Sequence, residues 1–364
     1  MGIGARTARR SAGALGALAA ASAAIAPAPA AADVAAGLGV RQLVGQRMIY
    51  SYAGTRPPAA LRVRIARGEA AGVILFTWNI ASRSALAATV RSLQSIPRPP
   101  GLRAPLLVMI DQEGGLVKRL SGAPQRSPAL LGRMGNAALT RSEGRATALN
   151  LRAVGVNVDL APVVDVGRPG SFQQRFLRSY SSNPVRVSAM GSAFVAGLRQ
   201  GRAAATLKHF PGLGTVRRNE DEVAQRVTLP LRTLRSVDEA PFAAGIAAGA
   251  QLVMTSTAIY PALSSRPALL SASVTTGELR GRLGFRGVTV TDDLTTRGLG
   301  PFGPPQRLGL LAAQAGNDLL LYAGGYVTAG GAYESLVRDV QAGRLSLEAT
   351  RASVRRVLAL RASL

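Results

Sequence analysis

The 364-residue chain contains no cysteine and only one histidine. Without cysteine it can form no disulfide scaffold, no thiolate metal site, no cysteine nucleophile and no lipid-modified N-terminal cysteine. A single histidine excludes a zinc or haem site built from several imidazoles. The composition therefore excludes the function classes that depend on thiolates or on clustered imidazoles.

Acidic and aromatic residues are also scarce, since 19 Asp and Glu oppose 44 Lys and Arg and aromatic residues make up 4% of the chain. Lys118 and Lys208 are the only lysines, so arginine carries most of the net charge of +25. The arginines are spread along the chain instead of forming a compact basic run, and few aromatic rings are available to stack on nucleobases. We therefore expect no nucleic-acid partner, whereas attraction to an anionic cell-wall or membrane surface is expected.

Long apolar runs are missing after residue 32, so no transmembrane segment is expected in the mature chain. Residues 1–32 have the pattern of a secretory signal peptide: three arginines, an apolar run over 12–25 and small residues close to Ala32. An uncleaved anchor or a disordered tail is the alternative. The sequence predicts a secreted or envelope-associated protein whose residues 33–364 form one domain.

Short apolar runs alternate with helix-patterned stretches from residue 40 onward. Most of the runs lack polar alternation, which is typical of parallel strands covered on both faces. Eight such strands at this spacing favour an α/β fold of the (β/α)8 barrel type over an open sheet. The predicted strands are 47–52, 72–76, 105–110, 155–160, 203–207, 251–256, 287–291 and 318–322. Predicted helices include 83–95, 186–199, 232–248, 273–283 and 304–316, and an amphipathic helix over 345–362 is expected outside the barrel.

Polar side chains follow several of these strands directly. Asp111 follows LLVMI, Lys208 and His209 follow AAATL, and Asp292 follows GVTVT, while Asp165 closes the stretch APVVD. In barrels of this class the chemistry lies at the carboxyl ends of the strands. The residues therefore predict a site at that end of the barrel.

Each of these motifs also has an alternative, structural explanation. Asp292 suits attack on an electrophilic carbon or cation binding, but an Asp after a strand is also a common helix N-cap. IDQEGGLVKRL (110–120) suits a pocket that binds hydroxyl groups, or is an ordinary loop. Because the chain otherwise uses arginine, we expect Lys208 to fill a position where a planar guanidinium would not fit. His209 either donates to a substrate hydroxyl or is a buried structural imidazole.

Six motifs in one order resemble the N-terminal catalytic domain of family 3 glycoside hydrolases, especially the single-domain β-N-acetylglucosaminidases. The resemblance covers about residues 40–325. The motifs are IDQEGG, GVNVDLAPVVDV, RSYSSNP, KHFPG, GAQLVMTSTAIYPAL and GFRGVTVTDDL.

The resemblance implies roles for individual residues. Asp292, the first Asp of TDDL, is similar to the family's catalytic nucleophile. The positions that bind the sugar in the family correspond to Asp111, Arg119, Arg178, Lys208 and His209. A retaining enzyme of this kind forms a covalent glycosyl intermediate and requires no metal and no cofactor.

The chain departs from the family pattern after KHFPG. Single-domain members usually carry an Asp-x-His dyad there, the His serving as acid/base, but Asn219 and Asp221 stand at the dyad positions and Leu213 replaces a further His. Because His209 already matches a sugar ligand, no histidine remains. We expect Asp221, or else Glu220 or Glu222, to donate the proton; a solvated acidic loop is the alternative.

The predicted function is an exported retaining hydrolase of β-linked N-acetylglucosamine, acting on cell-wall glycan fragments. Its expected partner is a carbohydrate substrate, with N-acetylglucosamine, glucose and xylose not distinguished. The alternative is a wall-associated sugar-binding barrel that has lost hydrolysis.

Overall fold

The computed structural model describes residues 1–2 and 29–364. Eight parallel strands form its central sheet, and each overlaps one predicted apolar run. The predicted signal peptide, residues 1–32, falls almost entirely outside the described residues and stays a prediction. The strands are β1 Met48–Tyr50, β2 Gly72–Leu75, β3 Leu107–Ile110, β4 Gln112–Gly114, β5 Val117–Lys118, β6 Val158–Asp159, β7 Ala204–Phe210, β8 Leu252–Thr255, β9 Val288–Thr291 and β10 Leu320–Tyr322. β7 continues to Phe210, three residues past the predicted end, so Lys208 and His209 lie in the last part of the strand and not after it.

The eight-stranded sheet closes on itself. Its strand order is β10-β1-β2-β3-β6-β7-β8-β9, so β10 and β9 are the two ends of the order. β10 pairs with β1 on one side, with Met48 opposite Leu320. A parallel bridge between Val290 and Leu319 joins the two remaining edges, and the Leu294 amide donates to the Leu321 carbonyl at 3.0 Å. The prediction of a (β/α)8 barrel is confirmed. β4 and β5 form a separate antiparallel hairpin in the loop after β3.

Helices follow the barrel strands and pack around them. The predicted helix over 232–248 is divided into α9 (Leu231–Thr233), a π-helical turn over Leu234–Asp238 and α10 (Ala240–Ala247). The division arises because Pro241, in the first turn of α10, lacks the N–H that a continuous helix needs. The segment Ser273–Arg282 is also π-helical. The α-helices are α1 Pro29–Gly37, α2 Val40–Gly45, α3 Ala59–Ala66, α4 Arg83–Gln94, α5 Pro128–Met134, α6 Ala137–Arg152, α7 Phe172–Arg175, α8 Pro184–Gln200, α9 Leu231–Thr233, α10 Ala240–Ala247, α11 Pro305–Gln314, α12 Tyr326–Gln341 and α13 Leu347–Ala362.

The last helix, α13, lies across the amino-terminal end of the barrel. Its Val357 and Leu360 pack against the apolar side chains that fill the barrel interior. The Arg361 side chain is fully buried and donates to the carbonyl of Pro105 at 2.9 Å, just before β3. Helix α13 therefore covers this end of the barrel, opposite the carboxyl ends of the strands. None of the described helices combines the length and apolar character needed to cross a bilayer.

Candidate active site

A cavity of about 480 Å³ opens at the carboxyl ends of the barrel strands. Apolar side chains from the top of the barrel interior form part of its lining: Ile74, Leu160, Met254 and Leu321. The charged residues of the strand-end motifs line the same cavity. An apolar wall with a few charged groups is the usual construction of a small-molecule site.

Lys208, at the end of β7, is the centre of a buried ion network. Its Nζ lies 2.7 Å from Asp111 Oδ1 and 2.7 Å from Glu113 Oε1. Arg178 holds the same Glu113 with two hydrogen bonds of 2.8 Å, one from Nε and one from Nη2. Arg119 Nη2 approaches Asp111 Oδ2 at 3.5 Å.

The network keeps both carboxylates charged. Burial alone would raise the pKa of Glu113, but Arg178 and Lys208 hold it well below its usual range. In the same way Lys208 and Arg119 lower the pKa of Asp111 against the effect of burial. Glu113 is fully enclosed, whereas Asp111 keeps partial exposure toward the cavity. Asp111 is therefore the member of the network that is free to accept hydrogen bonds from a bound ligand.

His209 is fixed by Asp165, which stands after β6. The Asp165 Oδ2 lies 2.8 Å from His209 Nδ1, and Oδ1 accepts the backbone N–H groups of His209 and Leu213 at 3.2 and 2.7 Å. Burial disfavours the charged ring, yet the Asp165 carboxylate raises the pKa of His209 above its usual value. The ring thus presents Nε2 to the cavity.

Two adjacent carboxyls at the end of β9 have different surroundings. Asp293 accepts the Thr295 N–H at 2.9 Å and the Ala323 N–H at 2.8 Å, so it ties this loop to the end of β10. Within the part of the chain that the structure describes, the Asp292 carboxylate accepts only the Asp293 N–H, at 2.8 Å, and it lines the cavity. The helix N-cap role that the sequence left open is taken by neither residue, since the next helical turn, Arg297–Phe302, is preceded by Thr296; the loop contacts are made by Asp293.

The acidic loop after β7, residues 215–222 and here called the flap, covers one side of the cavity. The Gly298 N–H donates to the Asp221 carbonyl at 3.1 Å, and a Cβ at position 298 would lie 2.1 Å from the Glu220 carbonyl oxygen. Glycine at 298 thus lets the loop after β9 approach the flap and hold it over the site.

Glu220 and Asp221 both bring carboxyl groups to Asp292. One oxygen each of Glu220 and Asp292 and one nitrogen of His209 lie within 4.8 Å of one another. Glu220 is buried, and its Oε2 has no hydrogen-bond partner among the described residues. Burial raises the pKa of Glu220, although His209 and Arg178 act against this. A divalent cation at these three atoms would meet the Arg178 guanidinium, whose Nη2 is 3.4 Å from His209 Nε2.

Asp221 keeps an exposed surface but is crowded by protein atoms, because it lines a concave cavity. Burial, and next the charge of Asp292, raise the pKa of Asp221 to about 8. A carboxyl of this kind remains protonated at neutral pH and is able to donate a proton.

A match to a family model decides what kind of barrel this is. Residues 39–360 match the model of the glycosyl hydrolase family 3 N terminal domain. The chain belongs to glycosyl hydrolase family 3. The predicted family, the predicted barrel and the prediction of a glycoside hydrolase are confirmed together.

Relatives and solved structures of this family extend over most of the chain. A protein of Arthroderma benhamiae, described as an uncharacterized secreted glycosyl hydrolase, is 37% identical over 93% of this chain and 97% of its own. A beta-hexosaminidase of Xylella fastidiosa is 39% identical over 63% of this chain and 70% of its own.

Two solved structures have the same fold. A family 3 beta-N-acetylglucosaminidase from Paenibacillus is 34% identical with a TM-score of 0.85; the match covers 90% of this chain and 63% of that one. A beta-N-acetylhexosaminidase from Beutenbergia cavernae is 32% identical with a TM-score of 0.81, covering 89% and 98%.

In this family 3 barrel, all seven residues named from the sequence line one cavity: Asp111, Arg119, Arg178, Lys208, His209, Asp221 and Asp292. Sequence reasoning assigned no role to Glu113, although it lies inside the quoted IDQEGG motif, and named Asp165 only as a polar residue after a strand. Both act by holding other charged side chains. Such a role depends on which side chains meet, and spacing along the chain carries no signal for it.

A larger cavity, of about 780 Å³, lies elsewhere on the surface between α5 and the start of α8. Among the described residues that line it, Arg133 and Arg186 are the only charged ones, and none carries a carboxylate. A nucleophile and proton donor of the carboxyl type are therefore absent from it, and the smaller cavity is the candidate active site.

Proposed function

We propose that the protein is a retaining glycoside hydrolase that removes terminal β-linked N-acetylglucosamine and that Asp292 is its nucleophile. The observation that carries the proposal is the position of Asp292 in a cavity that also holds an ion network suited to binding hydroxyl groups. The names of the similar proteins, beta-hexosaminidase and beta-N-acetylglucosaminidase, support the choice of sugar.

In the first step the Asp292 carboxylate attacks C1 of the sugar and the bond from C1 to the glycosidic oxygen breaks. The Asp221 carboxyl gives its proton to the departing oxygen, so an alcohol leaves and a glycosyl ester remains. In the second step Asp221 takes a proton from water, the hydroxide attacks C1, and Asp292 is released as a carboxylate. The free sugar keeps the β configuration.

The remaining predicted residues are proposed to orient the sugar. Asp111 accepts from hydroxyl groups while Lys208 and Arg119 hold its charge and position. His209 Nε2 points to the cavity for the same purpose. Arg178 uses two of its donors on Glu113, so we assign its effect to positioning and positive potential as much as to direct contact.

Asp221 is proposed as the donor in preference to Glu220 because of where the two carboxyls lie. Glu220 is enclosed close to His209, the residue assigned to the sugar, whereas Asp221 is exposed toward the solvent side, where the leaving group departs. Asp221→Asn should lower kcat/KM by about 100-fold or more for a sugar leaving group and much less for dinitrophenol, which needs little protonation. If Glu220→Gln shows this pattern and Asp221→Asn does not, Asp221 is not the donor.

The test of the whole proposal is turnover of nitrophenyl β-N-acetylglucosaminide, read by release of nitrophenol. Asp292→Asn should abolish it, and a fluorinated sugar inhibitor should label the peptide that contains Asp292. Glu348→Gln makes the same chemical change in an exposed ion pair with Arg355 and serves as the matched control. A label on another peptide, or normal turnover by Asp292→Asn, contradicts the proposal.

A sugar-binding protein without hydrolysis is the second candidate. It is favoured by the absence of the dyad histidine, since the chain's one histidine is held by Asp165. Saturable binding of N-acetylglucosamine by the unmodified protein, with no turnover of any β-glycoside in a panel that includes glucosides and xylosides, would select this candidate.

We also propose that the protein is exported and acts on cell-wall glycan fragments. The support is the signal-like pattern of residues 1–32, the net charge of +25 and one similar protein described as secreted. Binding to an anionic wall polymer should weaken as salt rises from 0.05 to about 0.5 M, because the Debye length falls well below 10 Å. Binding that persists at high salt contradicts an electrostatic origin.

A further inference from the structure

Two stacked aromatic pairs line the candidate active-site cavity. Phe76 and Trp78 stack with centroids 4.5 Å apart, and Phe172 and Phe176 stack at 4.3 Å. All four rings belong to the lining of this one cavity. In a chain with only 16 aromatic residues of these three types (1 Trp, 7 Tyr, 8 Phe), this concentration needs an explanation.

The two pairs have the same arrangement relative to solvent. The inner rings, Phe76 and Phe172, are partly buried, whereas the outer rings are exposed, Trp78 by 55% and Phe176 by 41%. Contiguous exposed apolar surface rimmed by polar residues marks ligand-binding grooves and interaction sites. The outer rings are thus surfaces that a ligand would cover.

Trp78 is exposed and yet held in place. Its Nε1 donates to the Tyr52 carbonyl at 3.2 Å. The adjacent Asn79 donates to the same carbonyl at 3.0 Å and accepts the Phe76 N–H at 2.8 Å, which fixes the turn. The ring therefore presents a pre-organised face, and a ligand that covers it has little ordering cost to overcome.

The pairs stand outside the groups assigned to the sugar. The Arg119 guanidinium, which contacts Asp111, lies 5.9 Å from the Phe76 ring centroid, so this pair continues outward from the hydroxyl-binding network. The other pair lies in and directly after α7, two residues before Arg178. A ring stacked on Trp78 would thus follow, toward the solvent, the sugar held at Asp292.

We infer that Trp78, backed by Phe76, is a specificity-determining platform for the leaving group, with Phe176 on the other side of the cavity mouth. The ligand class is a pyranose, such as a second N-acetylglucosamine, whose C–H face covers an aromatic ring. The inference rests on the proposed function, because it takes the sugar at Asp292 as the glycosyl unit that is transferred.

Trp78 is the only tryptophan of the chain, so its fluorescence reports directly on this position. In the Asp292→Asn variant, a β-1,4-linked disaccharide of N-acetylglucosamine should change the tryptophan emission along a saturable curve. N-acetylglucosamine itself, which fills only the inner position, should change it much less. A disaccharide that binds by calorimetry and leaves the emission unchanged overturns the inference, and so does a disaccharide that does not bind.

Kinetics of the active enzyme give the second measurement. Trp78→Ala should reduce kcat/KM for the disaccharide by about tenfold, mainly through KM, and Trp78→Phe should recover most of it. N-acetylglucosaminyl azide, whose leaving group is too small to reach the ring, should be hydrolysed equally by all three proteins. Val327→Ala, a truncation at an exposed site outside the cavity lining, is the control.

The outcomes separate this inference from the proposed function. If Trp78→Ala loses kcat/KM equally on the disaccharide and the azide, or loses none on the disaccharide, the platform is overturned. Turnover by the wild-type protein still supports the hydrolase in that case. Failure of the wild-type protein to hydrolyse any β-glycoside overturns the hydrolase, and the fluorescence measurement still decides whether Trp78 contacts a sugar.

Discussion

Replacing Lys208 by methionine should destabilise the protein by removing the cation at the centre of the buried network. The side chain is 2% exposed and its Nζ contacts Asp111 and Glu113 at 2.7 Å each. Breaking a buried ion pair by removing one partner typically costs about 3–5 kcal/mol. Arg178 still pairs with Glu113 in the variant, so we expect about 3 kcal/mol.

The loss should depend on pH in a definite direction. Lys208 lowers the pKa of both carboxyls in the folded state, so it contributes stability above their unfolded pKa values near 4 that is lost as the pH falls through the lowered folded values. The penalty of the substitution should therefore be largest at pH 7. The penalty should shrink as the pH falls toward 4 and below, because Asp111 and Glu113 take up protons in the variant at a higher pH than in the unmodified protein.

Urea unfolding followed by circular dichroism at several pH values measures this penalty. Lys118→Met is the matched control, because Lys118 is the only other lysine of the sequence. Within residues 29–364 its Nζ hydrogen-bonds only to the carbonyls of Gly122 and Pro124. We expect its free energy of unfolding to change by less than about 0.5 kcal/mol. A penalty for Lys208→Met below 1 kcal/mol, or one that is the same at pH 7 and pH 4, would refute the electrostatic reasoning.

Two further predictions concern the flap and Gly214, the residue directly before it. With a pKa of about 8, the proposed donor Asp221 is charged and inactive above that pH. In a pH–rate profile, kcat/KM for a sugar leaving group should therefore fall above pH 8, whereas kcat/KM for dinitrophenol should not. Parallel profiles for the two leaving groups would count against Asp221 as the donor. Gly214→Ala would place a Cβ 1.8 Å from the Val166 carbonyl oxygen, so it should lower thermal stability by the equivalent of about 1–3 kcal/mol and reduce turnover. The control Gly300→Ala, with no atom within 4 Å of its Cβ, should do neither. Equal melting temperatures for both variants would contradict the close approach.

The barrel could be predicted from the sequence because its signals are local. A strand covered on both faces must be apolar at every position, and GVILF and PLLVMI satisfy this without reference to the rest of the chain. The placement of Asp111, Lys208 and Asp292 followed from the same rule, since the residue after a buried parallel strand emerges at the carboxyl end of the barrel. The resemblance to the family then implied roles for individual residues, and these roles stay predictions.

Other features depended on which surfaces meet in three dimensions. The sequence indicated that 345–362 is helical, but only the packing of Val357 and Leu360 on the barrel interior placed that helix across the amino-terminal end. Similarly, the break at Pro241 follows a local rule, whereas nothing in the pattern of 273–283 indicated a π-helix.

The sequence by itself therefore determined the strands, the end of the barrel that carries the site and the residues offered for chemistry. The tertiary structure decided the state of those residues: Glu113 and Asp165 hold Lys208, Arg178 and His209 from positions at least 44 residues away in the chain. It also gave Asp292 and Asp293 different environments although they are neighbours. The physical reason is that charge states and hydrogen bonds are set by distances between side chains of different strands, and those distances exist only after the barrel closes.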